Sequence, residues 1–228
     1  MAPTRRTLLM GGAAGVAAAA AGAVLMSNRL DTIGLKDESN RFFTALPIPP
    51  LLDAREAGNI VRLIAKAGVT EFLPNLETET YGYSAPYLGP VIRVHRGDTV
   101  TMDVSNQLDK VTTVHWHGLF VPSELDGGPH NAINPGQTWQ PRLKIEQPAS
   151  TAWFHPHPHG DTGRQVYMGL AGLLYVEDGS AEDLGLPTRY GLDDLPIILQ
   201  DRSFCPDGEL IYGLRRQTHR NRPPRCAH

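Results

Sequence analysis

Two short segments hold most of the groups able to do chemistry. Val114-His115-Trp116-His117-Gly118 sets two imidazoles two residues apart, and Trp153-Phe154-His155-Pro156-His157-Pro158-His159-Gly160 sets three at the same spacing. In a β-strand, residues i and i+2 point to the same face. His115 and His117 therefore share a face, about 6–7 Å apart along the backbone. That separation lets two rings serve one metal ion or two neighbouring ions. Neutral imidazole suits copper, zinc, iron and nickel, so residue type alone does not choose the metal. A single His-x-His is a weak signal; two of them, each beside aromatic residues and at the end of an apolar run, form a specific one. Pro156 and Pro158 cannot donate to a ladder, which suits a strand end or edge. His159 either lines the rim or hydrogen-bonds a ligand histidine. His95, beside the turn Arg96-Gly97-Asp98, and His130, in a loop, read as ordinary surface or satisfied histidines.

The elements that must position these rings read as β. Thr99 to Val104 alternates strictly, with Val100, Met102 and Val104 on one face and Thr99, Thr101 and Asp103 on the other. Ile92 and Val94 alternate likewise before a turn, and Val111 to Val114 leads a strand into the first histidine pair. Trp139, Arg142 to Ile145, Thr151 to Phe154 and Gly172 to Glu177 complete the set, with turns at Asn134-Pro135-Gly136 and Gln147-Pro148. Asp53 to Ala67 stays open between extended chain and a short helix. Leu195 to Gln200 reads as a further strand after a loop-rich, acidic stretch, and from Leu214 onward no strand or helix pattern remains. Many short strands with Gly and Pro punctuation imply a sandwich or barrel.

Composition narrows the class. Length (228 residues) suffices for one large domain or one and a half ordinary ones, and 41% hydrophobic against 20% charged residues excludes global disorder. The 23 Gly and 19 Pro suit a turn-rich β protein better than a helical bundle. Two cysteines, Cys205 and Cys226, make neither a disulfide-dense scaffold nor a four-cysteine zinc site, and their pairing is left open. All 24 acidic residues lie between a start bearing Arg5 and Arg6 and a tail bearing five arginines. An acidic body argues against a nucleic-acid surface. The tail lacks aromatics and periodicity, and His219 and His228 within it are assigned nothing.

Thr4-Arg5-Arg6-Thr7-Leu8-Leu9 reads as a twin-arginine n-region, followed by an uncharged Ala- and Gly-rich run from Leu8 to Ser27. Ala21-Gly22-Ala23 fits a cleavage site. The run is nearly long enough to span a bilayer, but Ala and Gly contribute little insertion energy, so the segment is expected to be an export signal rather than an anchor. The expected organisation is a signal peptide over 1–23, a linker over 24–45, a first β domain over 46–178, a linker with the first strand of an incomplete second domain over 179–213, and a basic tail over 214–228. Localisation is expected to be periplasmic, with the membrane met only through the export signal.

His115-Trp116-His117-Gly118, Asp126-Gly127-Gly128, Trp153-Phe154-His155-Pro156-His157, Gly163-Arg164-Gln165 and Gly169-Leu170-Ala171-Gly172 together resemble the amino-terminal domain of a multicopper oxidase. Leu88-Gly89-Pro90 and Arg96-Gly97-Asp98 fit the same domain, and the likeness is nearest to bacterial cuprous oxidases exported by the twin-arginine route. The resemblance implies an all-β, cupredoxin-like Greek-key β-sandwich with the start of a second cupredoxin domain. It implies copper as cofactor, and oxidation of cuprous ion or phenolic substrates coupled to reduction of O2 to water. By position, His115 resembles a type 2 copper ligand, and His117, His155 and His157 resemble type 3 ligands. Asp126 resembles an acid that relays protons to bound oxygen; as a residue before Gly127-Gly128, it equally fits a simple turn.

The sequence departs from the family pattern in one respect. No cysteine is flanked by histidines, and the carboxy-terminal histidine motifs of the family are absent from these 228 residues. The resemblance then implies half of the trinuclear ligand set and no type 1 copper. The expectation is a truncated, copper-binding amino-terminal portion of a multicopper oxidase, from a frameshifted or interrupted gene and inactive alone, with O2 and a reducing substrate as partners only if the missing half is supplied by another chain. The alternative is a non-catalytic periplasmic copper-binding cupredoxin module. A relative that kept the fold and lost copper, as some division-linked homologues have, is disfavoured by the intact His115, His117, His155 and His157.

Overall fold

The computed structural model describes residues 45–213. The expected signal peptide, nearly all of the linker after it, and the basic tail with Cys226 lie outside the described residues. Among the described residues, the compact unit from Ile48 onward has ten strands, two short α-helices and one 3-10 turn at Ser123–Leu125. In chain order the strands and α-helices are β1 (Leu51–Asp53), β2 (Ile60–Leu73), β3 (Leu76–Tyr83), β4 (Val91–His95), β5 (Thr99–Asn106), β6 (His115–His117), β7 (Thr138–Trp139), β8 (Arg142–Lys144), β9 (Ser150–His155), α1 (Thr162–Met168), β10 (Gly172–Glu177) and α2 (Ser180–Asp183). One sheet runs β1-β4-β10-β9-β6 and the other β3-β2-β5-β7, with β8 also on β5. The expected all-β sandwich is thus observed. Among the described residues, no helix is long and apolar enough to cross a membrane.

The core lies between the two sheets and follows the alternation of the strands. Val100, Met102 and Val104 of β5 are fully buried, as their spacing predicts, and Val61, Leu63 and Ala65 of β2 lie beside them in parallel register. From the other sheet, Ile92, Val94, Leu174, Ala152, Phe154 and Trp116 close the layer. Each fully buried aliphatic side chain of this kind favours the fold by about 1.5–3 kcal/mol before chain entropy is counted.

Four sequence expectations change. Asp53 to Ala67 is neither helix nor uniform strand. A turn ends at Gly58 and Asn59, both with positive φ (66° and 59°), and the long strand β2 starts at Ile60. Ala54 lies in that turn, and Ile60 and Leu63 lie in the strand. Second, Val111 to Val114 forms no strand; Thr112 makes one isolated bridge to Ile133, and the strand proper begins at His115. Third, Leu195 to Gln200 has no ladder partner among the described residues, so the expected strand is not formed there. Fourth, the helix α1 falls in a stretch read only as motif. It ends at Gly169 (φ 123°), where a Cβ would lie 2.4 Å from the Tyr81 carbonyl oxygen.

Candidate metal centre

The antiparallel pairing of β6 with β9 brings the two histidine segments together. Its register sets His115 opposite His155, Trp116 opposite Phe154 and His117 opposite Trp153. Trp116 and Phe154 are fully buried, with ring centroids 6.1 Å apart, and Trp116 stacks on Trp139 at 6.4 Å. Because side chains alternate, fixing these two rings in the core turns His115, His117, Trp153 and His155 to the opposite face. The apolar packing therefore orients the polar site.

On that face the imidazoles converge. Ring centroids of His115 lie 5.4 Å from His117, 5.3 Å from His155 and 5.8 Å from His157. His117 and His155 are 5.5 Å apart, and His155 and His157 are 6.2 Å apart. Ligating atoms of His115, His117 and His155 all lie within 4.8 Å of one another. His157 stands beside this trio rather than within it. Trp153 packs against the group at a tilt, 4.0 Å from His155 and 5.1 Å from His117 between ring centroids.

Hydrogen bonds assign the free nitrogens. His155 Nδ1 is 2.8 Å from the Pro156 carbonyl, which can only accept, so Nδ1 carries the proton and Nε2 keeps its lone pair. His115 Nδ1 faces two acceptors of Asp126, its carbonyl at 2.9 Å and its carboxylate Oδ1 at 3.2 Å, so His115 also presents a bare Nε2. His155 Nε2 faces His117 Nδ1 at 3.2 Å, and in the metal-free form His117 Nδ1 is therefore the donor. Burial, opposed in part by the Pro156 hydrogen bond and reinforced by the neighbouring histidines, lowers the His155 pKa to about 4. Its ring is neutral at neutral pH. Neutral imidazoles whose far nitrogens are held by carbonyl or carboxylate oxygens are the donor set that copper or zinc requires. The residues fit such an ion.

Asp126 owes its position to Gly127. A Cβ at Gly127 would lie 1.6 Å from the Val114 carbonyl oxygen, and φ is +77°. Only glycine lets this loop press against the start of β6, where the Asp126 carbonyl meets both His115 Nδ1 and the Trp116 amide. Asp126 is half-buried, and the structure brings its carboxylate to the histidine cluster.

The other histidines stay apart. His95 Nε2 sits 3.3 Å from Asp53 Oδ2, His130 Nε2 sits 2.7 Å from the Ser123 carbonyl, and His159 is exposed at the turn into α1. A cleft of about 830 Å³ beside β4, β9 and β10, lined by Arg93, His95, Tyr175 and Asp194 among others, contains none of the four clustered histidines. Cys205, Asp207 and Glu209 also cluster, but Cys205 is disulfide-bonded and offers no thiolate. Sequence reasoning missed Thr113, whose hydroxyl accepts from the His157 amide at 2.7 Å, and it gave Trp153 no role of its own. The even spacing of Trp153 and His155 along one strand was the available signal for the latter.

Comparison with known proteins settles the kinship. Residues 65–181 match the family model for multicopper oxidases, just over half the chain. The protein belongs to the multicopper oxidase family. It is 41% identical to a multicopper oxidase of Staphylococcus aureus over 162 residues, which is 70% of this chain and 36% of that protein. It is 42% identical to the cell division protein FtsP of Xenorhabdus nematophila over 159 residues, 70% of this chain and 33% of that one. Among solved structures, the laccase-like multicopper oxidase CueO of Ochrobactrum sp. matches with a TM-score of 0.70 and 48% identity, covering 74% of this chain and 38% of that protein. The chain thus spans about a third of the length of these relatives. The fold is cupredoxin-like, the multicopper oxidases of the family bind copper, and the histidine cluster of this chain can hold a metal ion.

Proposed function

We propose that this chain is the copper-binding, amino-terminal portion of a multicopper oxidase. His115 serves as a type 2 copper ligand, and His117, His155 and His157 as type 3 ligands. The observation that carries this reading is the convergence of His115, His117 and His155 donors within 4.8 Å on the outer face of β6 and β9. Copper held there would supply redox chemistry toward O2. The chain's own part is to present neutral imidazoles, to exclude water behind Trp116 and Phe154, and to keep the Asp126 carboxylate beside His115 as a proton-relay group. Oxidation of cuprous ion or a phenol is proposed only when a further ligand set and a type 1 copper are supplied. Blue copper needs a cysteine thiolate with two histidines, and neither cysteine of these 228 residues has a histidine neighbour. Export through the twin-arginine route to the periplasm is part of the same proposal and rests on Arg5, Arg6 and the uncharged run after them.

A second reading is a periplasmic copper-binding module without turnover. It is favoured by the fact that three donors already converge on one point without help from another chain. Native mass spectrometry of the mature chain titrated with copper, combined with O2 consumption in the presence of cuprous ion or a phenol, tests both. Weak or heterogeneous loading without O2 uptake is expected for the broken cluster half. Tight loading of a single ion supports the module. Turnover with the blue colour of type 1 copper rules out the view that these residues are inactive alone.

A further inference from the structure

The ladder between the two histidine segments stops at His115 and His155, although the next ring, His157, lies beyond it. Pro156 and Pro158 explain the stop, since neither has an amide hydrogen to continue the pairing. His157 contributes the one backbone donor between them, and the fully buried Thr113 accepts it at 2.7 Å. Behind Thr113 stands Gln165 of α1, fully buried although polar. Its side-chain NH2 donates to the Val111 carbonyl at 2.9 Å and to Asp161 Oδ2 at 3.0 Å, and its Oε1 accepts from the Thr112 hydroxyl at 2.7 Å. Both amide hydrogens are used, so the orientation of the side chain is fixed. Thr162 Oγ1, one turn earlier on the helix, donates to the Pro158 carbonyl at 2.7 Å.

These bonds close a ring that runs from His157 through Pro158 and Thr162 to Gln165, then through Thr112 and Thr113 back to His157. The ring of His157 is exposed, and its nearest aromatic neighbours are His115 at 5.8 Å and His155 at 6.2 Å. The direct hydrogen bond that fixes this residue is the one from its backbone amide to Thr113. An apolar residue at 165 would fill the core without desolvating an amide. We infer that Gln165 and Thr113 are positioning residues for His157: the Thr113 hydroxyl takes the His157 amide where the prolines interrupt the ladder, and Gln165 holds the Val111–Thr112 backbone that carries Thr113. This rests on the proposed role of His157 as a copper ligand.

The test uses the mature chain titrated with copper(II), read by affinity in a competition assay, by electron paramagnetic resonance, and by hydrogen exchange at the His157 amide in the metal-free protein. Thr113→Val and Gln165→Met should weaken copper binding about ten- to a hundredfold, the range found for groups that orient metal ligands. Both should reproduce the resonance signature of His157→Ala and lose protection at the His157 amide. Thr113→Ser should restore affinity and signature. Asp161→Ala removes one of the two acceptors of Gln165 at a half-buried site, and it decides the matter if either buried variant fails to fold. Variants that bind copper with wild-type affinity and signature overturn the inference, as does a His157→Ala chain indistinguishable from wild type. A wild-type chain that takes up no copper instead removes the proposed function itself, and this inference with it.

Discussion

At the scale of the residue, the centre depends on which ring nitrogen carries a proton. In the metal-free chain the His117 proton sits on Nδ1 and points at the lone pair of His155 Nε2. An ion bound at both nitrogens requires that proton to leave. The exposed His117 ring can carry its proton at Nε2 instead, which is a change of tautomer. Two-bond 1H–15N spectra recorded with zinc as a diamagnetic probe should show His117 switching from Nδ1–H to Nε2–H, while His115 and His155 keep Nδ1–H. A His117 spectrum unchanged at zinc saturation contradicts this. His155 also couples stability to pH. Its pKa in the fold is about 4, whereas an unfolded histidine titrates near 6.5. Between these values the unfolded chain binds more protons than the folded one, so stability falls as pH drops from 6.5 toward 4 and this contribution is fully lost below 4. Urea unfolding of the metal-free protein at a series of pH values should show that slope, and His155→Gln should flatten it.

The elements show how a short strand pair comes to be so exactly aimed. Trp116 and Phe154 anchor β6 and β9 from inside, and the glycine at 127 brings a loop against the start of β6 from outside. Gly127→Ala should cost about 3 kcal/mol or more, since a left-handed φ and a collision with backbone act together. It should also weaken metal binding, because the Asp126 carbonyl can no longer hold His115. Denaturant midpoint and metal affinity measured on one preparation check both effects. Much of this arrangement was legible in advance. The alternation of β5 and the two histidine pairs are periodic signals, and period two is the property that a strand writes directly into its sequence. The rest was not legible, for physical reasons. The turn before β2 depends on left-handed Gly58 and Asn59, and apolar residues on either side of it mimic a helix. Thr112 and Thr113 read as a strand because threonine favours one, but the segment facing them carries prolines on both sides of His157, and Gln165 reaches Val111 and Thr112 from a helix some fifty positions away. Leu195 to Gln200 has strand composition, and a strand also needs a neighbour.

For the whole molecule, the comparisons place this chain in one family, and about two thirds of each relative's length lies outside the match. The export proposal belongs at this scale. Replacing Arg5 and Arg6 together by lysine should leave the protein in the cytoplasmic fraction while the wild-type chain reaches the periplasm; fractionation with immunodetection reads the difference, and equal export of both chains removes the twin-arginine assignment. The sheet topology bears on how the centre comes into being. His117 and His155, whose facing nitrogens lie 3.2 Å apart, are separated by 38 positions in the chain, and between them run β7 and β8, which pair with the other sheet. No local hairpin can bring the two rings together. Closing such a loop costs entropy before any contact repays it, and sandwiches rich in non-local pairs fold in milliseconds to seconds. An ion held by rings of both β6 and β9 would therefore bind only after this pairing is made. Copper held by both strands would act mainly as a brake on unfolding and would do little to hasten folding.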